Sequence, residues 1–547
     1  MPTLEWIGKD KVVNHDKEVP FRLLKEVRGK SLNGDDTENM IIHGDNLEAL
    51  KALLPHYAGK VKMIYIDPPY NTGEENWIYN DKVNSPQMKE WLGKIVGKES
   101  EDLCRHDKWL CMLYPRLKLL RELLDREGVI CISIDDNENY HLRRILDDIF
   151  GVNNFLASII WDLGTGTRAG HFTRAHEYII VYAKDKSLLT NFVYEGEEDI
   201  ISERAIKKIS KANPASIIEF PAGIDFEGED SEFVGVFGGS EKVEVISGKM
   251  TFKNGKLEEP VKLMAGWAMR NQILSWLSGE ETYDSKGQRV KRFYFAKNGK
   301  LQYEKIRGFV NPPSVLRKLA STKEGTKEIE NIFGKGVFQF PKPSKLIREL
   351  IKIVSCKGDI ILDSFAGSGT TAHAVLNLNK EDGGNRKFIL VEMEDYADTI
   401  TAERVRRVIK GYGKGKNKVE GTSGGFKYME LSEDPLFDRH GVISPKATYD
   451  DLANYIFFTE THNSIDRKKD KPKEGYLGEK GGVHYFLIFD GFPDLVFKNY
   501  LTEEFLQTLD KFDGKKVVYA DAVLLDDETL RERGIEFKQI PYEIKTF

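Results

Sequence analysis

The chain has 547 residues, 40% hydrophobic and 31% charged, with a formal net charge of -6. That length exceeds what one hydrophobic core organises, so three or four folding units are expected, and no apolar run is long enough to cross a bilayer. The charge balance gives no hint of a polyanionic partner for the molecule as a whole, and Cys104, Cys111, Cys131 and Cys356 lack the paired spacing of a zinc site or a disulfide framework, so no metal is expected.

The first eleven residues carry Glu5, Lys9, Asp10 and Lys11 instead of a secretory apolar core, which predicts a cytoplasmic location. Residues 1–39 are mixed and polar and read as an arm. From Met40 short apolar strands alternate with helices. MIIHGD predicts a strand ending at Asp45, Leu47 to Leu54 a helix, and VKMIYID a strand ending at Asp67. Leu110, Leu113, Leu117, Leu120 and Leu124 recur at intervals of three and four and predict one buried helical face, which Pro115 must kink or begin. VICISID predicts a strand ending at Asp135. FLASIIWDL and EYIIVYAKD predict two more, joined by a loop from Gly164 to His176. The rhythm is then lost, and 190–325 reads as an inserted domain. It returns with DIILDSFAGSGTTAHAVL and with KFILVEM, a strand ending near Glu392. The predicted organisation is an arm (1–39), two halves of one parallel α/β sheet (40–189 and 326–426) around the insertion, and a small C-terminal α/β domain (427–547).

Between a strand and a helix, Asp363-Ser-Phe-Ala-Gly-Ser-Gly-Thr-Thr-Ala372 offers backbone N–H groups and a helix N-terminus as an anion cradle. It also fits the loose dinucleotide fingerprint, with Gly367, Gly369 and Ala372 in the small positions. Glu392, closing the next strand, can accept hydrogen bonds from ribose hydroxyls of a dinucleotide or of S-adenosylmethionine; a solvated strand-end carboxylate is the plain alternative.

Asp67-Pro-Pro-Tyr70 closes a strand at the edge where ligands gather in such sheets. An exocyclic amine on a heteroaromatic ring is a poor nucleophile because its lone pair is delocalised. Asp67 can accept one N–H and the Pro68 carbonyl, stiffened by Pro69, the other, which aims the lone pair at a third point where a sulfonium methyl would sit. Tyr70 supplies a flat face on which an extruded base can stack. The alternative is a proline-stiffened turn with a capping aspartate.

D-P-P-Y-N-T-G from Asp67 to Gly73 and D-S-F-A-G-S-G-T-T from Asp363 to Thr371 resemble the catalytic and cofactor motifs of the DNA amino-methyltransferases, in the order of their beta group. LEWIGKDKVVNH, HDKWLCMLYPRLKLLRELL, GVICISIDDNE and GIEFKQIPYEIK are similar to modification subunits of type III restriction-modification systems. The resemblance implies a prokaryotic S-adenosylmethionine-dependent methyltransferase with its Rossmann-like sheet in permuted order and a target-recognition domain at 190–325. It further implies methylation of adenine N6, flipped from double-stranded DNA, on one strand of an asymmetric site. The implied partners are a second copy in a homodimer and a separate ATP-driven restriction subunit. This chain has no G-x-x-x-x-G-K-[ST] loop and is not that motor.

Carried over residue by residue, Asp67, Pro68, Pro69 and Tyr70 are catalytic. Phe365, Gly367, Gly369, Thr370 and Thr371 border the methionine end of the cofactor, Asp363 approaches it from the strand, Lys342 flanks the pocket, and Asp45 lies near the adenine ring unless it only caps the next helix. Arg168, Arg174 and His176 are candidate DNA contacts. Two basic clusters, one comprising Arg404, Arg406, Arg407, Lys410, Lys414, Lys416 and Lys418 and the other Arg467, Lys468, Lys469, Lys471 and Lys473, are either phosphate contacts or cations at a helix end and in a solvated loop. The competing readings are a solitary adenine-N6 or cytosine-N4 methyltransferase, a DNA-recognition subunit without catalysis, a dinucleotide oxidoreductase that would need a proton donor the sequence does not reveal, and a nuclease built on Pro493-Asp494 with Glu536-Phe-Lys538.

Overall fold

The computed structural model describes residues 4–72, 105–169, 171–193, 200–211, 213–306, 311–413, 415, 418–438, 440–465, 475–489, 499–541 and 544. Two compact units emerge, one formed by residues 1–190 with 313–547 and the other by 191–312. Among the described residues no helix is long and apolar enough to cross a membrane.

The first unit is organised by a ten-stranded sheet. Its strands are β1 (Arg22–Glu26), β2 (Met40–His43), β3 (Val61–Ile66), β4 (Leu124–Ile134), β5 (Phe155–Ala169), β6 (Phe172–Ala183), β7 (Val315–Leu316), β8 (Ile360–Asp363), β9 (Lys387–Glu392) and β10 (Lys427–Pro435). Across the sheet the order is β1-β10-β2-β9-β8-β3-β4-β6-β5-β7. From β10 to β4 all neighbours are parallel, whereas β6 runs antiparallel to both β4 and β5. Parallel strands covered on both faces need unbroken apolar runs. Phe388 to Val391 of β9 and Met63 to Ile66 of β3 are accordingly buried throughout. The covering helices are α1 (Asn46–Tyr57), α2 (Arg105–Leu123), α3 (Asn139–Phe150), α4 (Thr322–Phe333), α5 (Ser344–Val354), α6 (Thr370–Asp382) and α7 (Glu403–Lys410). In α2 the leucines at 110, 113, 117 and 120 are all buried, and burial of each such side chain contributes about 1.5–3 kcal/mol. Pro115 lies inside α2 and does not begin it, and Leu124 already belongs to β4.

Three expected boundaries move for reasons of strand pairing and capping. Residues 1–39 do not stand off as an arm: Val12, Val19 and Phe21 join the main core, and β1 pairs antiparallel with β10. Residue 427 opens a strand of the large sheet, because β10 pairs in parallel with β2. The insertion ends earlier than 325, since β7 pairs with β5 and a Ser321 capping box starts α4. The C-terminal stretch adds a four-stranded sheet (Tyr476–Lys480, Val483–Leu487, Lys515–Ala520 and Ile535–Gln539), and helix Tyr449–Thr461 buries Leu452 and Ile456 in the core that holds Leu50 and Leu53.

The second unit is built of short strands around an aromatic core of its own. Phe226 stacks on Phe252 at 4.0 Å, and Phe220, Phe295 and Trp267 close around them. The helix Arg270–Leu277, two four-stranded sheets and one three-stranded sheet complete it. Lys305 is buried and paired with Asp284 at 2.7 Å and Glu203 at 2.9 Å, which holds the sheet edge to the loop before it.

Candidate active site

The sheet register brings the two motifs together. Leu362 of β8 pairs with Ile64 of β3, so Asp363 and Asp67 finish adjacent parallel strands at the same edge. On the other side Asp363 pairs with Leu390, and Glu392 of β9 lies opposite His43 of β2. That carboxyl edge is where ligands bind in open α/β sheets, because the strand-end loops diverge there and helix N-termini point inward.

Asp67 is not an isolated carboxylate. Lys342 Nζ donates to both of its oxygens, at 2.9 and 3.0 Å, and stands 3.4 Å from Glu177 Oε2. Tyr70 Oη donates to the same Glu177 oxygen at 3.0 Å, and the lysine ammonium lies 4.7 Å from the centre of the Tyr70 ring. Burial pulls the Lys342 ammonium down, but the Asp67 and Glu177 charges outweigh it and hold the group above the ordinary lysine range. Burial, reinforced by the same two carboxylates, pushes the Tyr70 phenol well up, so the hydroxyl stays a donor. The turn after β3 is fixed from behind: buried Trp109 donates from Nε1 to the Pro69 carbonyl at 2.7 Å. Asn71, in the left-handed region at φ 56, donates to the Arg105 carbonyl at 3.1 Å and to the fully buried Glu138. Glu138 also pairs with His106 at 2.6 Å and His141 at 2.8 Å. These three offer metal-type ligand atoms within 4.8 Å of one another, and as they stand they form a hydrogen-bond hub that steadies Asn71.

The glycine loop is held by its own side chains. Asp363 accepts from Phe365 N at 3.0 Å and from the Thr371 hydroxyl; Glu392 accepts from Gly367 N at 2.7 Å and from Glu394 N at 3.0 Å. A Cβ at Gly369, where φ is +81°, would lie 3.0 Å from the Thr401 carbonyl, so only glycine fits that turn without strain. The fully buried Arg404 donates to Ser368 Oγ at 2.8 Å and Thr370 Oγ1 at 2.7 Å, and Glu328 balances its charge at 3.3 Å. Burial drives His373, which faces Arg404, far below the usual histidine range; neutral, it can accept from the guanidinium.

Asp67 and the loop wall one cavity together with Tyr65, Lys342, Asp363, Phe365, Gly367, Thr370 and Thr371. Burial raises both Asp363 and Glu392 to about 7, and among the described residues neither has a cationic partner. Ser364 Oγ, next in the chain to Asp363, is buried without a hydrogen-bond partner among the described residues, but neither it nor Glu392 is among the residues that wall the cavity. Two desolvated carboxyls that both grip a glycine turn suit a cationic ligand bearing an amino acid and a ribose, as S-adenosylmethionine does.

Other expected residues fall elsewhere. Asp45 caps α1, accepting from Leu47 N at 2.9 Å and Glu48 N at 3.1 Å, and meets the buried Arg116 at 3.5 Å; it does not line the cavity. Arg174 is engaged by Asp135 at 2.8 Å and Asp136 at 3.6 Å, and His176 by Tyr178 Oη at 3.0 Å, so neither is a free contact. In the first basic cluster Arg404 is interior, and Arg406 and Arg407 pair with Asp398 and Glu403. The second cluster, Arg467 to Lys473, and Pro493-Asp494 lie outside the described residues. Glu177 was missed, because only the antiparallel return of β6 beside β4, with Ile134 opposite Tyr178, brings that carboxylate to the edge where the parallel strands end.

The chain matches the family described as DNA methylase, of the N6/N4 type, over residues 61–403. It is 34% identical over 449 residues to the type III restriction-modification enzyme EcoPI Mod subunit of Escherichia phage P1, covering 75% of this chain and 68% of that protein. The StyLTI Mod subunit of Salmonella typhimurium is 32% identical over 461 residues, 78% of this chain and 66% of its own length. The EcoP15I Mod subunit of Escherichia coli is 30% identical over 509 residues, 84% of this chain and 74% of that one.

Proposed function

The chain belongs to the N6/N4 family of DNA methylases, and from that premise we propose that it moves a methyl group from S-adenosylmethionine to N6 of adenine in double-stranded DNA, as the modification subunit of a type III restriction-modification system. The observation that carries this reading is the single cavity walled by both Asp67 and the loop from Phe365 to Thr371. When bound, S-adenosylmethionine supplies a sulfonium-activated methyl group.

The chain's own residues do the rest. Gly367, Gly369, Thr370 and Thr371 receive the methionine end, Asp363 faces its cationic amine, and Glu392 takes the ribose hydroxyls. Asp67 and the Pro68 carbonyl accept the two N–H groups of the adenine amine while Tyr70 stacks on the ring, so the nitrogen lone pair faces the methyl carbon. Asp67, in reach of the amine, would take up the proton that the nitrogen sheds on methylation and pass it to water. Lys342 shares its ammonium between Asp67 and Glu177, so it can yield one Asp67 oxygen to the amine and stay paired. The insertion, residues 191–312, is the unit we assign to reading the DNA sequence, with a second copy and a separate restriction subunit completing the system.

Asp67→Ala tests the assignment: methyl transfer should be abolished with DNA binding retained, whereas lost binding would mark Asp67 as a structural turn. Mapping modified bases by single-molecule sequencing of DNA from cells with and without the protein should show N6-methyladenine on one strand of one asymmetric sequence. Methylated cytosine, or no modification, would refute the reading.

A further inference from the structure

We propose that the tip of the β5–β6 hairpin enters the DNA duplex beside the target nucleotide, and that the Phe172 ring stacks in the space the extruded base leaves. The proposal rests on the DNA-methyltransferase reading above.

Phe172 is 85% exposed, the most exposed large hydrophobic side chain among the described residues. A lone aromatic ring held in water on a strand end contributes nothing to the core, so its burial gain is available to a partner. Its surroundings select the partner. From Leu163 to His176 there is no carboxylate, and Arg168 and His171 fall in that stretch beside Arg174, which Asp135 and Asp136 already pair. Such a basic, small-residue tip with one exposed ring suits a phosphate backbone and a base stack.

The hairpin is also tied to the reaction centre. Ala169 pairs with Phe172 at its outer end and Trp161 with Glu177 partway down, the pairing continuing to Phe155 with Tyr182. Five residues of extended strand separate Phe172 from Glu177, which is roughly 16 Å. The ion pair of Arg174 with Asp135, itself only 4% exposed, pins the hairpin to the end of β4. Glu177 holds Tyr70 and Lys342, so the strand that presents Phe172 to the duplex also shapes the pocket that receives the base.

The test uses the full chain, radiolabelled S-adenosylmethionine and two duplexes carrying the sequence found by mapping, one fully paired and one with an abasic site opposite the target adenine. Phe172→Ala should lower kcat/KM on the paired duplex by about five- to a hundredfold, the worth of one base–aromatic stack. On the abasic duplex, where extrusion costs little, it should stay close to wild type, and Phe172→Trp should restore the paired reaction. Equal losses on both duplexes, or none on either, would overturn the proposal. So would a loss of dimer by sedimentation without the difference between duplexes, which would make the ring a contact between copies. A wild-type chain that methylates neither duplex sinks the methyltransferase reading, and this proposal with it.

Discussion

Cofactor affinity should depend steeply on pH, because burial raises both Asp363 and Glu392 to about 7 and, among the described residues, neither faces a cation. The free protein therefore holds them protonated below neutrality, whereas a cationic amino acid and a charge-assisted grip on ribose favour the carboxylates. If the bound state requires one of them ionised, its dissociation constant at pH 5.5 exceeds that at pH 7.5 by roughly 25-fold, and by the product of two such factors if both ionise. Above pH 7.5 the cofactor's own amine, with a pKa of about 8, begins to lose its charge, so the window closes there. For stability the sign is opposite. A carboxyl raised in the folded state contributes stability that is complete below its unfolded value and is lost as pH rises through about 7, so the cofactor-free protein should melt lower at pH 8 than at pH 5.5. For Asp363 the contribution is at most about 4 kcal/mol. Calorimetric titration of S-adenosylmethionine at pH 6, in two buffers of different ionisation heat, should show one to two protons released per cofactor, and Asp363→Asn should remove one. A dissociation constant that is flat across the window, or uptake of protons, would refute the assignment of these carboxyls to the cofactor.

Arg404→Ala should destabilise the protein by about 3 kcal/mol, the lower end for a broken buried pair because Glu328 keeps a quarter of its surface in water. It should also weaken cofactor binding, since Ser368 and Thr370 lose their donor; denaturant titration and calorimetry check both, and an unchanged dissociation constant would detach Arg404 from the loop. Lys342→Met should leave DNA affinity largely intact and lower kcat by about a hundredfold, the cost of misplacing a reacting group. A variant that turns over normally would remove Lys342 from the site.

The residues proposed to do chemistry were legible where an apolar run stops at a polar one. Asp67, Asp363 and Glu392 each end a strand, and the end of a parallel strand is a position a sequence can mark. What the sequence concealed depends on pairing across the sheet. Nothing in EYIIVYAKD states that β6 returns antiparallel beside β4, and without that Glu177 is one carboxylate among many. Arg404 and Arg116 have the composition of surface cations, but both are fully buried, because a hydroxyl-bearing loop and an asparagine beside a cap make interior sites for them. Asp45 was balanced between helix cap and adenine contact, and its two backbone donors decide for the cap. The edge strand β1 and its neighbour β10 escaped because they pair with each other across most of the chain.

The order of the large sheet bears on how the protein is made. β8 and β9 sit between β2 and β3, yet they leave the ribosome only after the whole insertion has been synthesised. Until then β2 and β3 have no bond to each other and present open strand edges, the kind of surface that aggregates or recruits chaperones. A message cut short before residue 392 should therefore yield no partly active fragment, only material for degradation. The insertion, with its own aromatic core, can fold while the centre of the sheet still waits.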